Sequence, residues 1–310
     1  MNCSIIIRAY NEENHIGRLL EGIRHQTLRD AEVILVDSGS TDSTVEIAES
    51  HGAHVVRIAA DEFTFGRSLN YGIREAAGEF IIIASAHVYP VYPDWLAALL
   101  HPLQDERIAL TYGRQRAPQS AKYSEKQIFQ HWYPELGSPR LDTVFCNNAN
   151  AAIRKKLWEK NHYDETLTGL EDLAWAKWAS DQGYEITYVP EAEVVHVHDE
   201  TPRGVFNRYR REAMAFKKIF PESHFSVYDF VRLTAANIAS DIWHAAHDHV
   251  LGRNAASIFW FRLMQFHGTR LGYRETSLIT PQLRETFYYA RKRKNQKDPG
   301  REVEPIHYQK

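Results

Sequence analysis

"CSIIIRAYNEENHIGRLLEGIRHQT", residues 3–27, combines a short apolar strand with a helix whose apolar side chains recur at helical spacing. Three more apolar strands follow before residue 90, with helical stretches between them; they read AEVILVD, AHVVRI and EFIIIAS. Continuously apolar strands that alternate with helices are typical of a parallel sheet buried on both faces. We therefore expect an α/β fold with a mostly parallel central sheet and helices on both of its faces.

The composition is that of an ordinary globular protein. Hydrophobic residues make up 44% of the 310 residues, charged residues make up 25%, and the net charge of −3 argues against a nucleic-acid binder. Two cysteines, Cys3 and Cys146, are too few for a disulfide framework and indicate a reducing compartment. We expect no signal peptide and no run of roughly 20 apolar residues that would span a membrane. The predicted location is cytoplasmic, and attachment to the inner face of a membrane stays an alternative.

Polar side chains follow three of the predicted strands where each strand ends. Tyr10 and Glu12 follow the first strand, Asp37 and Ser38 follow the second, and Ser-Ala-His at 85–87 follows the fourth. Ligands of open α/β sheets bind beyond the carboxyl ends of the strands. The sequence therefore predicts a ligand site at this edge of the sheet, with a serine and a histidine directed into it.

These motifs, in this order, resemble the family 2 glycosyltransferases of GT-A fold. The resemblance extends from about residue 3 to residue 198, and its details are similar to the bacterial branch that builds surface polysaccharides, including rhamnosyltransferase-like members. It implies a GT-A-type, Rossmann-like sheet. The residues that carry it read SIIIRAYNEENHIGRLLEGIRHQ, VILVDSGSTDSTVEIA, AAGEFIIIASAHVYPVYPDWL, NNANAAIRK and GLEDLAWAKWASDQGYEITYVPEAEVVHVH.

The resemblance and the helical pattern after Thr201 together predict the domain organisation. Residues 1–200 form the GT-A domain, with a nucleotide-binding half over about 1–115 and an acceptor half over about 116–200. Residues 201–290 form a helical C-terminal region, and 291–310 form a flexible basic and polar tail with too little apolar content to pack. Within the acceptor half, the polar stretch 124–142 is predicted to be an active-site loop.

The resemblance implies a donor site for a UDP- or dTDP-sugar. A carboxylate at the end of a strand, such as that of Asp37, can accept the N–H of a uracil or thymine ring. An ordinary turn and helix cap is the alternative interpretation of this stretch. Arg67 either pairs with phosphate or is a surface charge. The donor contacts that the resemblance implies are Tyr10, Glu12, Asp37, Ser38, Arg67, Asn70, Ser85, Ala86, Asn148 and Asn150.

The metal site departs from the pattern of the family. The family usually ends the fourth strand with Asp-x-Asp, whereas this chain has Ser85 and His87 there. The related mucin-type polypeptide N-acetylgalactosaminyltransferases use Asp-x-His, with the histidine on the metal. His196 and His198 are two residues apart on a strand and therefore face the same side. The resemblance thus implies a divalent cation on the three histidines, Mn²⁺ in preference to Mg²⁺, because imidazole favours softer metals. Direct contact with the diphosphate, or mere packing, stays the alternative.

The GLEDLAW stretch, residues 169–175, resembles the family's Glu-Asp motif on the acceptor side. The resemblance implies that Asp172 is the base of a single inverting displacement and that Glu171 orients the loop or the acceptor. The alternative is that both carboxylates only stabilise a helix N-terminus.

The implied function is transfer of a hexosyl or deoxyhexosyl group to a hydroxyl of a polysaccharide or glycolipid. The partners are then a nucleotide diphosphate sugar and a saccharide or lipid-linked saccharide acceptor, with no nucleic acid. A catalytically weak nucleotide-sugar-binding subunit of a glycan assembly complex is the alternative, because Ser85 and His87 replace the usual acids.

The basic helix after residue 200 has two interpretations. Its arginines and lysines either meet the phosphates of a lipid-linked acceptor or an anionic membrane surface, or they form a solvated face. These residues are Arg203, Arg208, Arg210, Arg211, Lys217 and Lys218. Trp243, Trp260 and Phe261 are then candidates for a homodimer or domain contact through the C-terminal helices.

Overall fold

The computed structural model of the protein describes residues 2–59, 61–137, 144–198, 200–274 and 303–308. Strands occupy Cys3–Ala9 (β1), Glu32–Asp37 (β2), His54–Arg57 (β3), Phe80–Ser85 (β4), Val88–Pro90 (β5), Ile108–Arg116 (β6), Asn150–Arg154 (β7) and Glu185–His196 (β8). Helices of the GT-A part occupy Ile16–Arg24 (α1), Thr44–Ser50 (α2), Phe65–Glu75 (α3), Trp95–Leu100 (α4), Tyr123–Trp132 (α5), Lys155–Trp158 (α6) and Glu171–Asp181 (α7), and a 3₁₀ turn occupies Pro102–Gln104. The C-terminal helices are Pro202–Ile219 (α8), Val227–His247 (α9) and Leu251–Arg274 (α10).

The strands form one sheet in the order β3-β2-β1-β4-β7-β6-β8-β5. In its first half β3, β2, β1 and β4 are all parallel. Ile5 and Ile7 of β1 face a core shared with α1 and α4, whereas Ile6 faces a core shared with α3. Burying each of these side chains contributes about 1.5–3 kcal/mol. The predicted α/β fold, with helices on both faces of the sheet, is confirmed.

The second half of the sheet is mixed, because β7 is antiparallel to both β4 and β6. β6 and β8 pair in parallel, with register shifts between Ile108 and Leu110 and between Gly113 and Gln115 of β6. The end of β8 then pairs antiparallel with the short strand β5, where Val88 lies opposite His196. This last pairing brings the residues that follow β4 beside the carboxyl end of β8.

Residues 124–132 of the predicted active-site loop belong to helix α5. The glycine and proline that indicated a loop lie after this helix, at Pro134 and Gly137. α5 buries Phe129 and Trp132 in the core shared with α3, so its apolar face packs although the sequence around it is polar. The rest of the predicted loop falls partly on residues 138–143, which lie outside the described residues.

The predicted helical C-terminal region is present as α8, α9 and α10, and residues 275–290 of it lie outside the described residues. Gly268 and Gly272 let α10 approach the backbone of α8 at Phe206 and Arg210. Phe261 is buried inside the structure, so this ring is not available for a dimer contact, whereas 64% of Trp243 is exposed. No helix in the described part of the chain combines the length and apolar character that crossing a bilayer requires.

Two residues of the predicted loose tail, Ile306 and Tyr308, contact the residues around β5, whereas residues 304, 305 and 307 are exposed. The Ile306 amide donates to the Val91 carbonyl at 2.9 Å, and the Tyr308 ring packs edge-on against Tyr89 at 5.3 Å. These two contacts differ from the expectation that the tail has too little apolar content to pack, because one tyrosine and one isoleucine supply apolar surface that docks. Residues 291–302 and 309–310 lie outside the described residues.

The contact between α8 and α10 predicts opposite effects for two glycines of one helix. A Cβ at Gly268 would overlap the Phe206 carbonyl oxygen, whereas a Cβ at Gly252 would meet nothing within 4 Å. We expect Gly268→Ala to lower the free energy of unfolding by about 1–3 kcal/mol. Gly252→Ala should leave it unchanged or raise it by up to about 1 kcal/mol. Denaturant unfolding of both variants measures this, and equal effects would contradict the proposed close packing.

Candidate active site

A polar cleft of about 470 Å³ opens at the carboxyl ends of β1, β4 and β8. The start of α7 and one face of α8 complete its walls. The cleft lies where the sequence predicts ligand binding for such a sheet. The side chains that line it and matter for its chemistry are Arg8, Glu12, Ser85, His87, Asn148, Glu171, Asp172, His196, His198, Arg208 and Arg211.

The three predicted metal-binding histidines meet in this cleft. His87, His196 and His198 each offer a ring nitrogen that lies within 4.8 Å of the nitrogens of the other two. The His87 and His196 rings stack with centroids 5.1 Å apart, and the His196 and His198 centroids are 4.1 Å apart. The pairing of β5 with β8 causes this convergence, since the Val197 amide donates to the His87 carbonyl at 3.0 Å.

Each of these imidazoles is oriented by a hydrogen bond at Nδ1. The partners are Glu12 Oε1 for His87 at 2.8 Å, Gln115 Oε1 for His196 at 2.6 Å and Glu125 Oε1 for His198 at 2.7 Å. Nδ1–H donation to an oxygen leaves the Nε2 lone pair available, and such oxygen partners are typical of metal-binding histidines. The Nε2 atom of His196 is buried and has no hydrogen-bond partner among the described residues.

Burial favours the neutral form of two of these histidines. It lowers the pKa of His196 well below its ordinary value, and the neighbouring His198 and His87 lower it further. Burial also lowers the pKa of His198, although the hydrogen bond to Glu125 opposes this. A neutral imidazole is the form that binds a divalent cation. The orphaned Nε2, the oxygen partners at Nδ1 and the neutral rings together fit a first-row divalent metal.

The two predicted catalytic carboxylates follow a strained residue. Leu170 has a φ of +56°, in the left-handed region, and α7 begins immediately after it. Asp172 accepts backbone hydrogen bonds from Asn148 at 3.0 Å and from Leu173 at 2.8 Å. Burial, and then the neighbouring charge of Glu171, raise the pKa of Asp172 to about 7. A carboxylate with such a pKa can accept a proton near neutral pH.

Glu171 is held differently from Asp172. Its Oε1 accepts a hydrogen bond from Arg8 on β1 at 2.8 Å, and both side chains are largely buried. This ion pair anchors the start of α7 to the end of β1. This contact favours the prediction that Glu171 orients the loop over the prediction that it orients the acceptor.

Arginines supply the positive charge of the cleft. Arg8 and Arg211 lie over the Phe65 ring, with guanidinium carbons 4.9 and 4.6 Å from its centroid. Arg208 pairs with Glu200 at 2.6 Å and lies 3.6 Å from Glu125. Guanidinium groups in a cleft suit phosphate oxygens. The solvated-face interpretation of the basic helix is therefore wrong for Arg208 and Arg211.

Three of the predicted donor contacts are structural instead. Asn70 is 1% exposed, and its amide bonds Trp158, Tyr163 and Glu165. Asn150 is fully buried and bonds Trp95, Arg114 and Ala192. Ala86 is fully buried in the core shared with α1 and α4. These predictions are wrong because the amides have used their hydrogen-bonding capacity inside the fold and the alanine side chain faces the core.

Four donor contacts predicted near the ends of the first three strands do not line the cleft. They are Tyr10, Asp37, Ser38 and Arg67. Asp37 accepts the Gly39 and Ser40 amides at 3.1 and 3.2 Å, and the Ser38 hydroxyl donates to the Ala9 carbonyl, as the turn interpretation requires. Arg67 pairs with Glu165 at 2.8 Å, which favours its interpretation as a surface charge. Tyr10 is 57% exposed beside this turn.

Glu12, Ser85 and Asn148 do line the cleft. The Glu12 carboxylate orients His87, a role that the resemblance did not imply. The side-chain amide of Asn148 is buried and makes no hydrogen bond of normal geometry with described residues. Its position beside Asp172 makes it the donor-contact candidate with capacity left for a ligand.

Three residues of the site were not predicted: Arg8, Gln115 and Glu125. The sequence contained a signal for Arg8, because a charged residue inside a mostly apolar, buried strand needs a partner. Gln115 and Glu125 had none, since a glutamine late in β6 and a glutamate in the first turn of α5 are ordinary residues there. Only the fold shows that each bonds a histidine.

A family model described as "Glycosyl transferase family 2" matches residues 4–161. The O-antigen chain rhamnosyltransferase RfbN of Salmonella typhimurium is 28% identical over 222 residues, which are 67% of this chain and 70% of that protein. The O-antigen chain rhamnosyltransferase WbaN of Salmonella anatum is 26% identical over 219 residues, covering 66% and 69%.

Two solved structures share the fold. The mannosyltransferase PcManGT from Pyrobaculum calidifontis, in complex with GDP-Man and Mn²⁺, superposes with a TM-score of 0.57 at 20% identity, covering 86% of this chain and 84% of that one. S. aureus TarS 1–349 in complex with UDP superposes with a TM-score of 0.54 at 17% identity, covering 89% and 91%. At these identities the likeness is one of fold.

The raised pKa of Asp172 predicts a pH dependence of stability. A carboxyl whose folded-state pKa exceeds its ordinary value of 3.8 makes folding less favourable as pH rises from about 4 to about 7. The melting temperature of Asp172→Asn minus that of the wild type should therefore increase by a few degrees between pH 5 and pH 8, measured with a chelator present. Asp105→Asn is the control, because hydrogen bonds from Arg107 lower the pKa of this exposed carboxyl to about 2, outside the tested range. A difference in melting temperature between Asp172→Asn and the wild type that does not change with pH would contradict a buried carboxyl with a raised pKa.

Proposed function

Because the chain belongs to glycosyl transferase family 2, we propose that it moves a sugar from a UDP- or dTDP-sugar to a hydroxyl of a polysaccharide or glycolipid acceptor. The sugar is a hexosyl or deoxyhexosyl group, and the anomeric configuration is inverted. The observation that carries the proposal is the meeting of a buried carboxylate and three imidazoles in one polar cleft at the strand ends. The Salmonella relatives, described as rhamnosyltransferases, support a deoxyhexosyl donor.

Asp172 acts as the base of a single displacement. The acceptor oxygen forms a bond to the anomeric carbon, the bond from that carbon to the diphosphate oxygen breaks, and the hydroxyl proton passes to the Asp172 carboxylate. The two backbone amides on Asp172 hold the carboxylate in place for this transfer. Attack on the face opposite the leaving diphosphate inverts the configuration. Arg8 and Glu171 fix the start of α7 and so position Asp172.

His87, His196 and His198 would hold a divalent cation, Mn²⁺ in preference to Mg²⁺. Such a cation, when bound, neutralises negative charge on a leaving diphosphate. A solved fold relative carries Mn²⁺ together with a nucleotide sugar, which supports the assignment. Arg8, Arg208 and Arg211 add positive charge around the same diphosphate position.

The nucleoside is assigned to the adjoining strand ends. Tyr10 and Asp37 remain the proposed contacts for the base, since Tyr10 directly follows β1 and Asp37 ends the neighbouring strand β2, at the edge of the sheet where the cleft opens. The Asp37 carboxylate already accepts turn amides. It still has acceptor capacity for a ring N–H, because each carboxylate oxygen carries two lone pairs. Asn148 is assigned to the donor sugar or the acceptor.

The division of roles predicts different defects for two substitutions. We expect Asp172→Asn to lower transfer by about 10²–10⁴-fold, because the base is lost, and to leave donor binding intact. His87→Ala should weaken Mn²⁺-dependent binding of the nucleoside diphosphate. Release of nucleoside diphosphate from a panel of sugar donors measures the first effect, and thermal shift with UDP or dTDP measures the second. His101→Ala, an exposed histidine away from the cleft, is the control.

Wild-type turnover in Asp172→Asn would contradict the base assignment. Tight nucleotide binding by the wild type without turnover of any donor would support the nucleotide-sugar-binding subunit instead.

The metal assignment predicts a direct binding result. Titration with Mn²⁺, followed by electron paramagnetic resonance, should show one site in the wild type whose affinity falls at least tenfold in His196→Ala and in His198→Ala. Gln115→Leu should weaken it less, because this removes only the oxygen that orients His196. His101→Ala should bind as the wild type does. Unchanged Mn²⁺ affinity in both histidine variants would mean that the imidazoles contact the diphosphate directly or only pack.

A further inference from the structure

A second cavity, of about 170 Å³, lies behind the catalytic carboxylate. α5, the stretch 144–147, the start of α7, and helices α8 and α10 enclose it. Its walls combine aromatic rings with polar side chains, and the rings are those of Phe129, Trp132, Tyr133, Phe145, Tyr209, Phe216 and Tyr273. None of the predicted donor contacts lies in this cavity.

The two cavities share their boundary. Asp172, His196 and Arg208 are among the residues that line both the polar cleft and the aromatic cavity. A molecule seated in the aromatic cavity therefore has one edge at the Asp172 carboxylate. An attacking hydroxyl must lie within reach of the base, and Asp172 is the residue at which this cavity meets the polar cleft.

The volume and walls of the cavity fit one six-membered ring. An apolar cavity of about 150 Å³ is large enough for benzene. Trp132 and Phe145 both line the cavity and stack on each other with centroids 4.6 Å apart, so two aromatic rings back this part of its wall. The C–H face of a pyranose packs well against such a surface, because that face is apolar while the ring edge carries hydroxyls.

A polar group on the wall argues against a hydrocarbon chain as the occupant. Gln115 is 2% exposed, and its Oε1 is taken by His196. Its Nε2 amide group is buried without a hydrogen-bond partner among the described residues. A hydrocarbon would leave this donor unsatisfied at a cost of about 1–3 kcal/mol, whereas a ring hydroxyl accepts from it.

We propose that the aromatic cavity is the acceptor subsite and binds a single pyranose ring, stacked on the Trp132 and Phe145 wall with its reacting hydroxyl at Asp172. This assignment rests on the proposed function and names the acceptor group that the site takes. The C-terminal helices complete the subsite, through Phe216 of α8 and Tyr273 of α10.

Ligand-observed saturation-transfer NMR tests the subsite directly. The probes are methyl glucopyranoside, methyl galactopyranoside and methyl rhamnopyranoside, with n-hexanol as the hydrocarbon, each added to protein that contains UDP and Mn²⁺. We expect at least one pyranoside to receive saturation at its ring C–H protons. Its affinity should fall at least tenfold in Thr269→Phe, because Thr269 lines the cavity and a benzyl group there fills it.

Thr234→Phe is the matched control. Thr234 and Thr269 are both buried on C-terminal helices, and each hydroxyl donates to the carbonyl four residues earlier, but Thr234 does not line the cavity. Phe145→Ala is a second variant that removes a wall without filling the core, and Phe220→Ala is its control on a partly buried ring outside the cavity. Phe145→Ala decides the outcome if Thr269→Phe fails to fold.

Undiminished pyranoside binding in Thr269→Phe and Phe145→Ala would overturn the subsite, as would saturation of n-hexanol alone. Absence of pyranoside binding by protein that binds UDP would also overturn it and leave the proposed function standing. Failure of both UDP and dTDP to bind would instead count against the proposed function, so the two failures are distinguishable.

Discussion

The pairing of the short strand β5 with the end of β8 is the constraint on which the site depends. Backbone hydrogen bonds place Val88 opposite His196 and join the Val197 amide to the His87 carbonyl. Histidines from distant parts of the chain thereby share one cluster. β8 is also paired with β6, which carries Gln115, so the same sheet that brings His196 into place also supplies the oxygen that orients it.

Polar groups are buried at this site in a way that a core selected only for stability would avoid. An unpaired buried charge costs several kcal/mol, and each charge here has a specific compensation. Glu171 has Arg8, Asp172 has two backbone amides, and Glu125 has His198. The compensation of Asp172 is incomplete, because its two backbone amides and the nearby Arg8 lower its pKa less than burial and Glu171 raise it. The same incomplete compensation makes this carboxylate able to accept a proton.

The C-terminal helices belong to the site. α8 contributes Arg208 and Arg211 to the polar cleft, and α8 and α10 contribute aromatic rings to the adjoining cavity. α10 can lie this close to α8 because Gly268 and Gly272 remove side chains from the contact. Substituents at these two positions would therefore change the shape of the cavity, although neither residue lines it.

The sequence by itself determined the α/β fold, the edge of the sheet where the site lies and the residues of its centre. Continuously apolar strands indicate a sheet buried on both faces. The Ser-Ala-His and Glu-Asp motifs can be recognised because the residues of each are contiguous in the chain. Only the tertiary structure decided that Asn70 and Asn150 are structural, that Arg8 pairs with Glu171, and that Glu12, Gln115 and Glu125 orient the histidines. The reason is physical: a hydrogen bond between residues far apart in the chain leaves no periodic pattern in either segment, and an amide saturated by the fold has the same sequence as one that is free for a ligand.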